Sequence, residues 1–141
     1  MKLGEQAQIF RKTFEQESLK SISHQGFIKK KLWDMQLDLI EEEVGEMFDA
    51  AEDVFEFPDD FDKQVQLLKE LADTVFVCYQ FAAAFNMDLD AAMSLIFDSN
   101  MSKLDDNGKA LFRVDGKVLK GPNYCPPDLS VCIPKVSSSS K

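Results

Sequence analysis

Apolar residues three and four positions apart recur through most of this chain, and this spacing places them on one face of an α-helix. The spacing predicts four helices, at about residues 2–18, 27–55, 59–86 and 88–104. We therefore expect an all-α protein whose helices pack along these apolar faces. The apolar stripe on the second predicted helix consists of Trp33, Leu37, Ile40, Val44, Met47, Ala51 and Val54.

The character of the sequence changes after about residue 104. Two runs with β-propensity, Leu111–Val114 and Lys117–Leu119, flank Asp115-Gly116, which predicts a hairpin with a two-residue turn. Prolines then become frequent, so we expect extended chain. The expected organisation is one domain over residues 1–130, with a helical core at about 2–104, a hairpin and wrapping segment at about 105–136, and a flexible tail at 137–141.

Charge and hydropathy limit the classes of partner. The net charge of −9 argues against binding a nucleic-acid polymer, because phosphate contacts need Lys and Arg. A divalent cation can still bring a small phosphorylated molecule to an acidic surface. No apolar run approaches the ~20 residues that span a bilayer, and Met1–Phe10 lacks the apolar core of a signal peptide. We expect a soluble protein that stays in the cytoplasm and has no membrane partner.

The histidine and cysteine content argues against several metal centres. Zinc sites draw on clustered His and Cys, and di-iron carboxylate bundles use paired Glu-x-x-His motifs, whereas this chain has one histidine, His24. The cysteines, Cys78, Cys125 and Cys132, form no C-x-x-C motif and are expected to be reduced thiols.

Two pairs of carboxylates occur on the second and third predicted helices. Glu43 and Glu46 are three residues apart, as are Glu70 and Asp73, so each pair shares one helix face. The short connection at Pro58 predicts antiparallel neighbours, which brings the four carboxylates together. Such a group repels itself, and burial raises its pKa values, unless divalent cations neutralise it. All-oxygen ligation favours Mg²⁺ or Mn²⁺.

A solvated acidic helix face is the alternative interpretation of these carboxylates.

Gly45 lies between Glu43 and Glu46, although a glycine inside a helix costs ~1 kcal/mol relative to alanine. This position would allow a close approach by a neighbouring helix or a ligand.

These motifs resemble a known family. Glu42–Glu46 (EEVGE) followed by Glu70–Asp73 (ELAD) is similar to the EExxE…ExxD signature of MazG-like nucleotide pyrophosphohydrolases, a superfamily that includes phosphoribosyl-ATP pyrophosphohydrolases and dimeric dUTPases. Ser99–Leu104 (SNMSKL), Asp115–Pro122 (DGKVLKGP) and Pro126–Leu129 resemble its phosphoribosyl-ATP-pyrophosphohydrolase-like, often phage-borne branch. The resemblance covers about residues 32–130. It implies a MazG-like four-helix-bundle subunit with a C-terminal hairpin and an extended tail.

The resemblance also implies a reaction, which is cleavage of a nucleoside triphosphate to the monophosphate and pyrophosphate. It implies a homodimer or homotetramer, located in the host cytoplasm if a phage encodes it. Glu42 or Glu43 would orient or deprotonate the attacking water. Glu42 and Asp49 are further metal candidates, since Asp49 is also three residues from Glu46. The ligands that the resemblance assigns to Mg²⁺, for which Mn²⁺ can substitute, are Glu43, Glu46, Glu70 and Asp73.

Candidates for phosphate or sugar binding lie further along the chain. Asn100 and Lys103 share a face of the fourth predicted helix, and Lys120 and Arg113 lie on the hairpin. The alternatives are a lysine favoured by the helix dipole, a capping asparagine, and plain solvent exposure.

Aromatic side chains are candidates for stacking on a base. Phe14 and Trp33, together with Phe10, can take this role, but at helical spacing such residues more often lie in a core or an oligomer interface. Apolar surface of this kind favours an oligomer over a monomer.

Three functional hypotheses follow. The first is a pyrophosphohydrolase for a purine substrate, dGTP, GTP or dATP. The second is the same fold acting on dUTP or dCTP. The third is a non-catalytic acidic helical protein that binds a partner protein.

Overall fold

A computed structural model describes residues 1–135, and within them the chain forms four helices, one strand pair and a 3-10 turn. The prediction of an all-α fold with a short C-terminal hairpin is therefore confirmed. The predicted tail at 137–141, with residue 136, lies outside the described residues. The elements are α1 (Leu3–Thr13), α2 (Lys30–Glu56), α3 (Phe61–Ala84), α4 (Leu89–Met101), β1 (Leu111–Phe112), β2 (Val118–Leu119) and the 3-10 turn (Ser130–Cys132).

The described residues fall into two compact units. One contains Met1–Met87 with the residues from Pro134 onward, and the other is Asp88–Ile133. The first unit holds α1, α2 and α3, and the second holds α4, the strand pair and the 3-10 turn. The expectation of one domain over residues 1–130 stays a prediction.

Two expectations from composition can be compared directly with the structure. The three cysteines, Cys78, Cys125 and Cys132, form no disulfide within residues 1–135. Among residues 1–135, no helix is long and apolar enough to cross a membrane.

The first unit is built on α2 and α3, which run antiparallel. The Trp33 ring, near the start of α2, contacts the rings of Phe81 and Phe85 near the end of α3, with centroids 5.3 and 5.6 Å away. Further along, the Thr74 hydroxyl donates to the Glu43 carbonyl at 3.3 Å. In these contacts the residue numbers increase along α2 while they decrease along α3, as they do in antiparallel helices. This register sets the middle of α2 beside the middle of α3, where the two carboxylate pairs are.

The connection between α2 and α3 is short because both helix ends are defined locally. Phe57 lies directly after α2 and precedes Pro58, and a residue before proline is disfavoured in helical conformation. Asp60 then caps α3, since its Oδ1 accepts from Lys63 N at 3.2 Å. The predicted cap at Asp59 or Asp60 is thus Asp60.

Helix α1 ends at Thr13, five residues before its predicted end near Ser18. Glu15 adopts a left-handed φ of +52°, and Gln16 N donates to Arg11 O at 2.8 Å, which closes the helix. Arg11 explains the early end, because its buried guanidinium donates to Glu17 O and, at 3.1 Å, to Ser18 Oγ. A continued helix would carry both acceptors away from it.

Helix α2 begins at Lys30 instead of the predicted Phe27. His24 and Phe27 form an isolated antiparallel bridge, with N–O distances of 2.7 and 3.0 Å. Gln25 and Gly26 both have positive φ between them, as in a tight two-residue turn. Phe27 therefore uses its backbone groups in this turn, and the helix starts after it.

In the second unit, α4 is held against the segment that follows the hairpin. Ser99 Oγ donates to Cys125 O at 2.8 Å, and Cys125 N donates to Ser102 Oγ at 2.9 Å. Gly121 N donates to Lys103 O at 3.0 Å, directly after α4. Asp88 caps the start of the helix through Ala91 N at 2.9 Å. Helix α4 ends at Met101, three residues before the predicted end at Leu104.

The strand pair has a three-residue connection, so the predicted two-residue turn is wrong. Leu111 pairs with Leu119 and Phe112 with Val118. Arg113 N then donates to Lys117 O at 2.7 Å, which leaves residues 114–116 as the loop. Gly116 has a φ of +86°, the left-handed conformation that closes such loops and that glycine adopts without strain.

Candidate active site

Three carboxylates meet between α2 and α3. Glu43 and Glu46 come from α2 and Glu70 from α3, and each offers an oxygen within 4.8 Å of the oxygens of the other two. Glu70 is buried, with 4% of its surface exposed, whereas Glu43 is half-buried and Glu46 is exposed. We call these three residues the carboxylate group. Its open side is the Glu46 side.

The Thr74 hydroxyl positions the two helices at this level. Its Oγ1 lies 2.8 Å from Glu70 O, one turn earlier on α3, and 3.3 Å from Glu43 O on α2. The Thr74 side chain therefore contacts the backbone of both Glu43 and Glu70, the two less exposed members of the carboxylate group. This fixes the height of Glu43 relative to Glu70.

Two carboxylate oxygens in the group are buried and lack a partner. Among residues 1–135, nothing donates a hydrogen bond to Glu43 Oε2 or Glu70 Oε2. The other oxygen of Glu70 accepts from Gln66 Nε2, one turn earlier on α3. Buried polar atoms are nearly always satisfied, and a buried carboxylate without a partner is costly. These two oxygens have the chemistry and the position of cation ligands.

The electrostatics agree with this interpretation. Desolvation by burial, followed by the negative charges of Glu46, Asp73 and Glu70, raises the pKa of Glu43 above its ordinary value. The pKa of Glu46 is also raised, by desolvation first, then by the charges of Glu70 and Glu42, and by a side-chain hydrogen bond shared with Glu70. Each charge therefore disfavours the others, and a divalent cation would relieve that repulsion.

The carboxylate group fits Mg²⁺ or Mn²⁺. Such ions bind oxygens at about 2.1 Å, so ligands on opposite sides are about 4.2 Å apart. Neighbouring ligands are about 3.0 Å apart, so the oxygens of the group, which lie within 4.8 Å of one another, would move closer by side-chain rotation when an ion binds.

Asp73, the fourth predicted ligand, lies beside the carboxylate group and is paired with a lysine. Its Oδ2 accepts from Lys69 Nζ at 2.6 Å, and the same ammonium lies 3.4 Å from Glu70 Oε1. Asp73 is close enough for its charge to contribute to the raised pKa of Glu43.

Three contributors were missed in the sequence. Lys69 and Gln66 each precede their partner by four residues, Asp73 and Glu70, which is a spacing that the sequence displays. Thr74 had no signal, because its role depends on the register between α2 and α3.

The other acidic candidates lie at the edge of the site. Glu42 is exposed, and its charge helps to raise the pKa of Glu46. Asp49 is exposed and is not part of the group of carboxylates found among the described residues. Glu42 is therefore electrostatically coupled to the carboxylate group.

The phosphate candidates belong to the second unit. Asn100 is exposed and Lys103 is half-buried, and neither side chain has a hydrogen bond or ion pair within residues 1–135. Arg113 donates to both carboxylate oxygens of Asp115, which lowers the pKa of Asp115. Lys120 Nζ lies 4.7 Å from the centroid of the Tyr124 ring. Of these three candidate cations, Lys103 is the one that would bind a ligand without first breaking a contact within residues 1–135.

The base-stacking candidates differ in their surroundings. Trp33 packs against the cluster around Leu32, Ala84 and Phe85, which favours a role in the core. Phe14 is exposed, and its ring lies 4.5 Å from that of Phe10. Phe14 is the more accessible of the two.

Comparison with known proteins places α2 and α3 within one family. A family model described as phosphoribosyl-ATP pyrophosphohydrolase matches residues 8–100, well over half of the 141 residues. The match includes the carboxylate group and Asp73, and it ends at Asn100, before Lys103 and the hairpin. No curated protein sequence matches the chain.

Proposed function

This chain belongs to the phosphoribosyl-ATP pyrophosphohydrolase family, and on that premise we propose that it is a Mg²⁺-dependent nucleoside triphosphate pyrophosphohydrolase. Water adds across the α–β phosphoanhydride bond, and the products are the nucleoside monophosphate and pyrophosphate. The observation that carries the proposal is the pair of buried carboxylate oxygens, on Glu43 and Glu70, that have no partner within residues 1–135.

In this proposal Glu43, Glu46, Glu70 and Asp73 hold Mg²⁺, or Mn²⁺ in its place. When bound, the ion supplies charge neutralisation at the phosphate oxygens and a template for in-line attack. The carboxylate group provides three of these ligands, and Asp73 adjoins it. The arrangement needs no nucleophilic serine, cysteine or histidine.

The attacking water needs a base, and two adjacent residues can supply it. Glu42 is exposed beside Glu46 and is not part of the carboxylate group. Glu43 has a pKa raised above its ordinary value, which makes its carboxylate a stronger base than an ordinary glutamate. We propose that one of the two orients and deprotonates the water while the other stays a ligand or a bystander.

We further propose that Asn100 and Lys103 bind the phosphates or the sugar, with Lys120 and Arg113 in supporting roles. Lys103 supports this role because its ammonium has no ion-pair partner within residues 1–135. Arg113 would have to exchange Asp115 for a phosphate oxygen, which a charge-assisted bidentate contact can favour.

The proposed substrate is a purine nucleotide, dGTP, GTP or dATP, in the cytoplasm. Phe14 is our proposed stacking residue because it is exposed, and Trp33 is second. The same fold acting on dUTP or dCTP is distinguished by the substrate panel below.

We propose that the active form is a homodimer or homotetramer. Helices α2 and α3 expose apolar side chains at helical spacing, and patches of this kind mark interfaces. On α3 these are Phe61, Val65, Leu68 and Val75, and on α2 they are Phe48 and Phe55.

A pyrophosphate-release assay with Mg²⁺ over all common NTPs and dNTPs tests the function. Glu46→Gln and Asp73→Asn should lower kcat at least about 100-fold, because they remove charges that the reaction needs. Glu41→Gln, an exposed position on the same helix outside the carboxylate group, is the matched control. Release from no nucleotide would leave the non-catalytic binding hypothesis, and release from pyrimidines alone would make the second hypothesis correct.

A further inference from the structure

Lys69 is a cation placed among the proposed ligands. Its ammonium lies 2.6 Å from Asp73 Oδ2 and 3.4 Å from Glu70 Oε1. The two partners differ in burial, since 5% of the Glu70 side chain is exposed and 40% of the Asp73 side chain. The lysine therefore joins an inner and an outer carboxylate of the site.

The influence of Lys69 extends beyond its two contacts. Its positive charge opposes the upward shifts in the pKa values of Glu43 and Glu46. Lys69 therefore partly neutralises all four carboxylates to which the proposed function assigns a metal.

The Lys69–Asp73 contact and metal ligation by Asp73 oppose each other, because the ammonium and the ion would be drawn to the same carboxylate. An ion bound to Asp73 at about 2.1 Å would lie within a few ångströms of the ammonium. Two positive charges at that distance repel strongly, even at an intermediate dielectric constant. The Lys69 side chain is 57% exposed and has a flexible four-carbon stem, so it can move into solvent.

The Lys30–Asp34 pair on α2 shows what an ordinary surface pair looks like. It has the same i,i+4 spacing and is also exposed. Lys30 interacts with Asp34 and, at longer range, with Asp38, but it contacts no buried carboxylate. Lys69 differs because it contacts Glu70, whose second oxygen is buried without a partner within residues 1–135.

We propose that Lys69 is an exchangeable counter-cation of the carboxylate site, which holds Asp73 and Glu70 until a divalent cation binds and then gives both up. The proposal rests on the proposed function, because it takes Asp73 as a metal ligand. Lys69 then has two opposite effects. Lys69 stabilises the protein when no divalent cation is bound, and it weakens metal binding, since its charge repels the ion and competes with it for Asp73 and Glu70.

The test is the affinity of the full chain for Mn²⁺, measured by calorimetry and by electron paramagnetic resonance. Lys69→Met should bind Mn²⁺ about two- to fivefold more tightly than wild type, the change that corresponds to losing a partly exposed ion pair. Lys69→Arg keeps the charge and should stay near wild type. Lys30→Met, the matched control, should leave the affinity unchanged.

Thermal unfolding in EDTA is the second readout. Lys69→Met should melt at a lower temperature than wild type in EDTA and should gain more from added Mg²⁺. Lys69→Gln serves in the same comparison if the methionine variant does not fold. Equal or weaker Mn²⁺ affinity in folded Lys69→Met, or in Lys69→Gln in its place, would overturn the counter-cation proposal alone. If wild type binds neither Mn²⁺ nor Mg²⁺, the metal site and the proposed function fail together.

Discussion

We expect the charge of Glu70 to lower the stability of the metal-free protein and to strengthen metal binding. Its Oε1 is held by Gln66, whereas its buried Oε2 has no partner among residues 1–135. Glu70→Gln keeps the shape and removes the charge. In EDTA we expect this variant to be at least as stable as wild type, by up to about 2 kcal/mol, since a buried charge that repels Glu43 and Glu46 is gone.

The same Glu70→Gln substitution should weaken Mn²⁺ binding at least about tenfold, because a neutral amide is a poor ligand for a hard cation. Chemical unfolding and calorimetry measure the two effects separately. The Glu41→Gln control should change neither. Wild-type Mn²⁺ affinity in Glu70→Gln would show that Glu70 is not a ligand.

The raised pKa values of Glu43 and Glu46 predict a pH dependence. Between the ordinary value of 4.5 and the raised value, the folded protein binds more protons than the unfolded chain. The contribution of these groups to the free energy of unfolding therefore falls as pH rises through this window, and it is least favourable above it. Urea unfolding in EDTA from pH 4 to 8 measures this, and the difference between wild type and Glu43→Gln isolates one group. A difference that does not vary with pH would contradict the shift for Glu43.

At the scale of elements, Arg11 connects all three helices of the first unit. Its Nη1 lies 3.4 Å from both Gln36 Oε1 on α2 and Gln80 Oε1 on α3, and the residue is 1% exposed. Arg11→Met would remove this donor from the Oε1 atoms of Gln36 and Gln80 and would release the segment at Glu17. We expect a loss of about 2–4 kcal/mol in the free energy of unfolding. Urea denaturation measures it, with the exposed neighbour in Lys12→Met as control, and a loss no larger than that of the control would contradict the role.

Two glycines should respond oppositely to alanine. A Cβ at Gly121 would lie 2.5 Å from Lys103 O, so the segment after β2 would have to move away from the end of α4. At Gly45 a Cβ would meet nothing within 4 Å among the described residues, so no close helix approach requires glycine there. Gly121→Ala should destabilise the protein, and Gly45→Ala should stabilise it by up to ~1 kcal/mol. Thermal unfolding checks both, and a destabilised Gly45→Ala would indicate a partner or ligand at that face.

The elements show which parts of the structure were predictable from the sequence. The periodic stripes and the caps at Asp60 and Asp88 are local signals, so the four helices were predicted well. The end of α1 and the start of α2 depend on Arg11 and on the His24–Phe27 bridge, which are contacts that periodicity does not encode.

The candidate site also has a part that the sequence predicted and a part that it did not. The spacing of Glu43, Glu46 and Glu70 predicted a group that the structure brings together. The sequence displays the four-residue spacing of Lys69 and Asp73, but the additional contact of Lys69 with Glu70 depends on the side-chain rotamers.

At the scale of the whole molecule, the exposed apolar stripe of α3 predicts self-association. Leu68→Asp places a charge in the middle of that stripe, where the leucine is 67% exposed. We expect it to lower the mass in light scattering from that of a dimer or tetramer to that of one chain, since burying an unpaired charge is costly. Val114→Asp, on the hairpin loop, is the exposed apolar control. A monomeric wild type would contradict the proposed oligomer.

The central claim is that this chain cleaves the α–β bond of a nucleoside triphosphate with a divalent cation held by α2 and α3. Phosphorus NMR of a reaction with dGTP, run in parallel with Mg²⁺ and with EDTA, tests it most directly. We expect dGMP and pyrophosphate in equal amounts with Mg²⁺, no reaction in EDTA, and a rate at least about 100-fold lower with Glu46→Gln. Orthophosphate and dGDP as products, or equal turnover in EDTA, would contradict it.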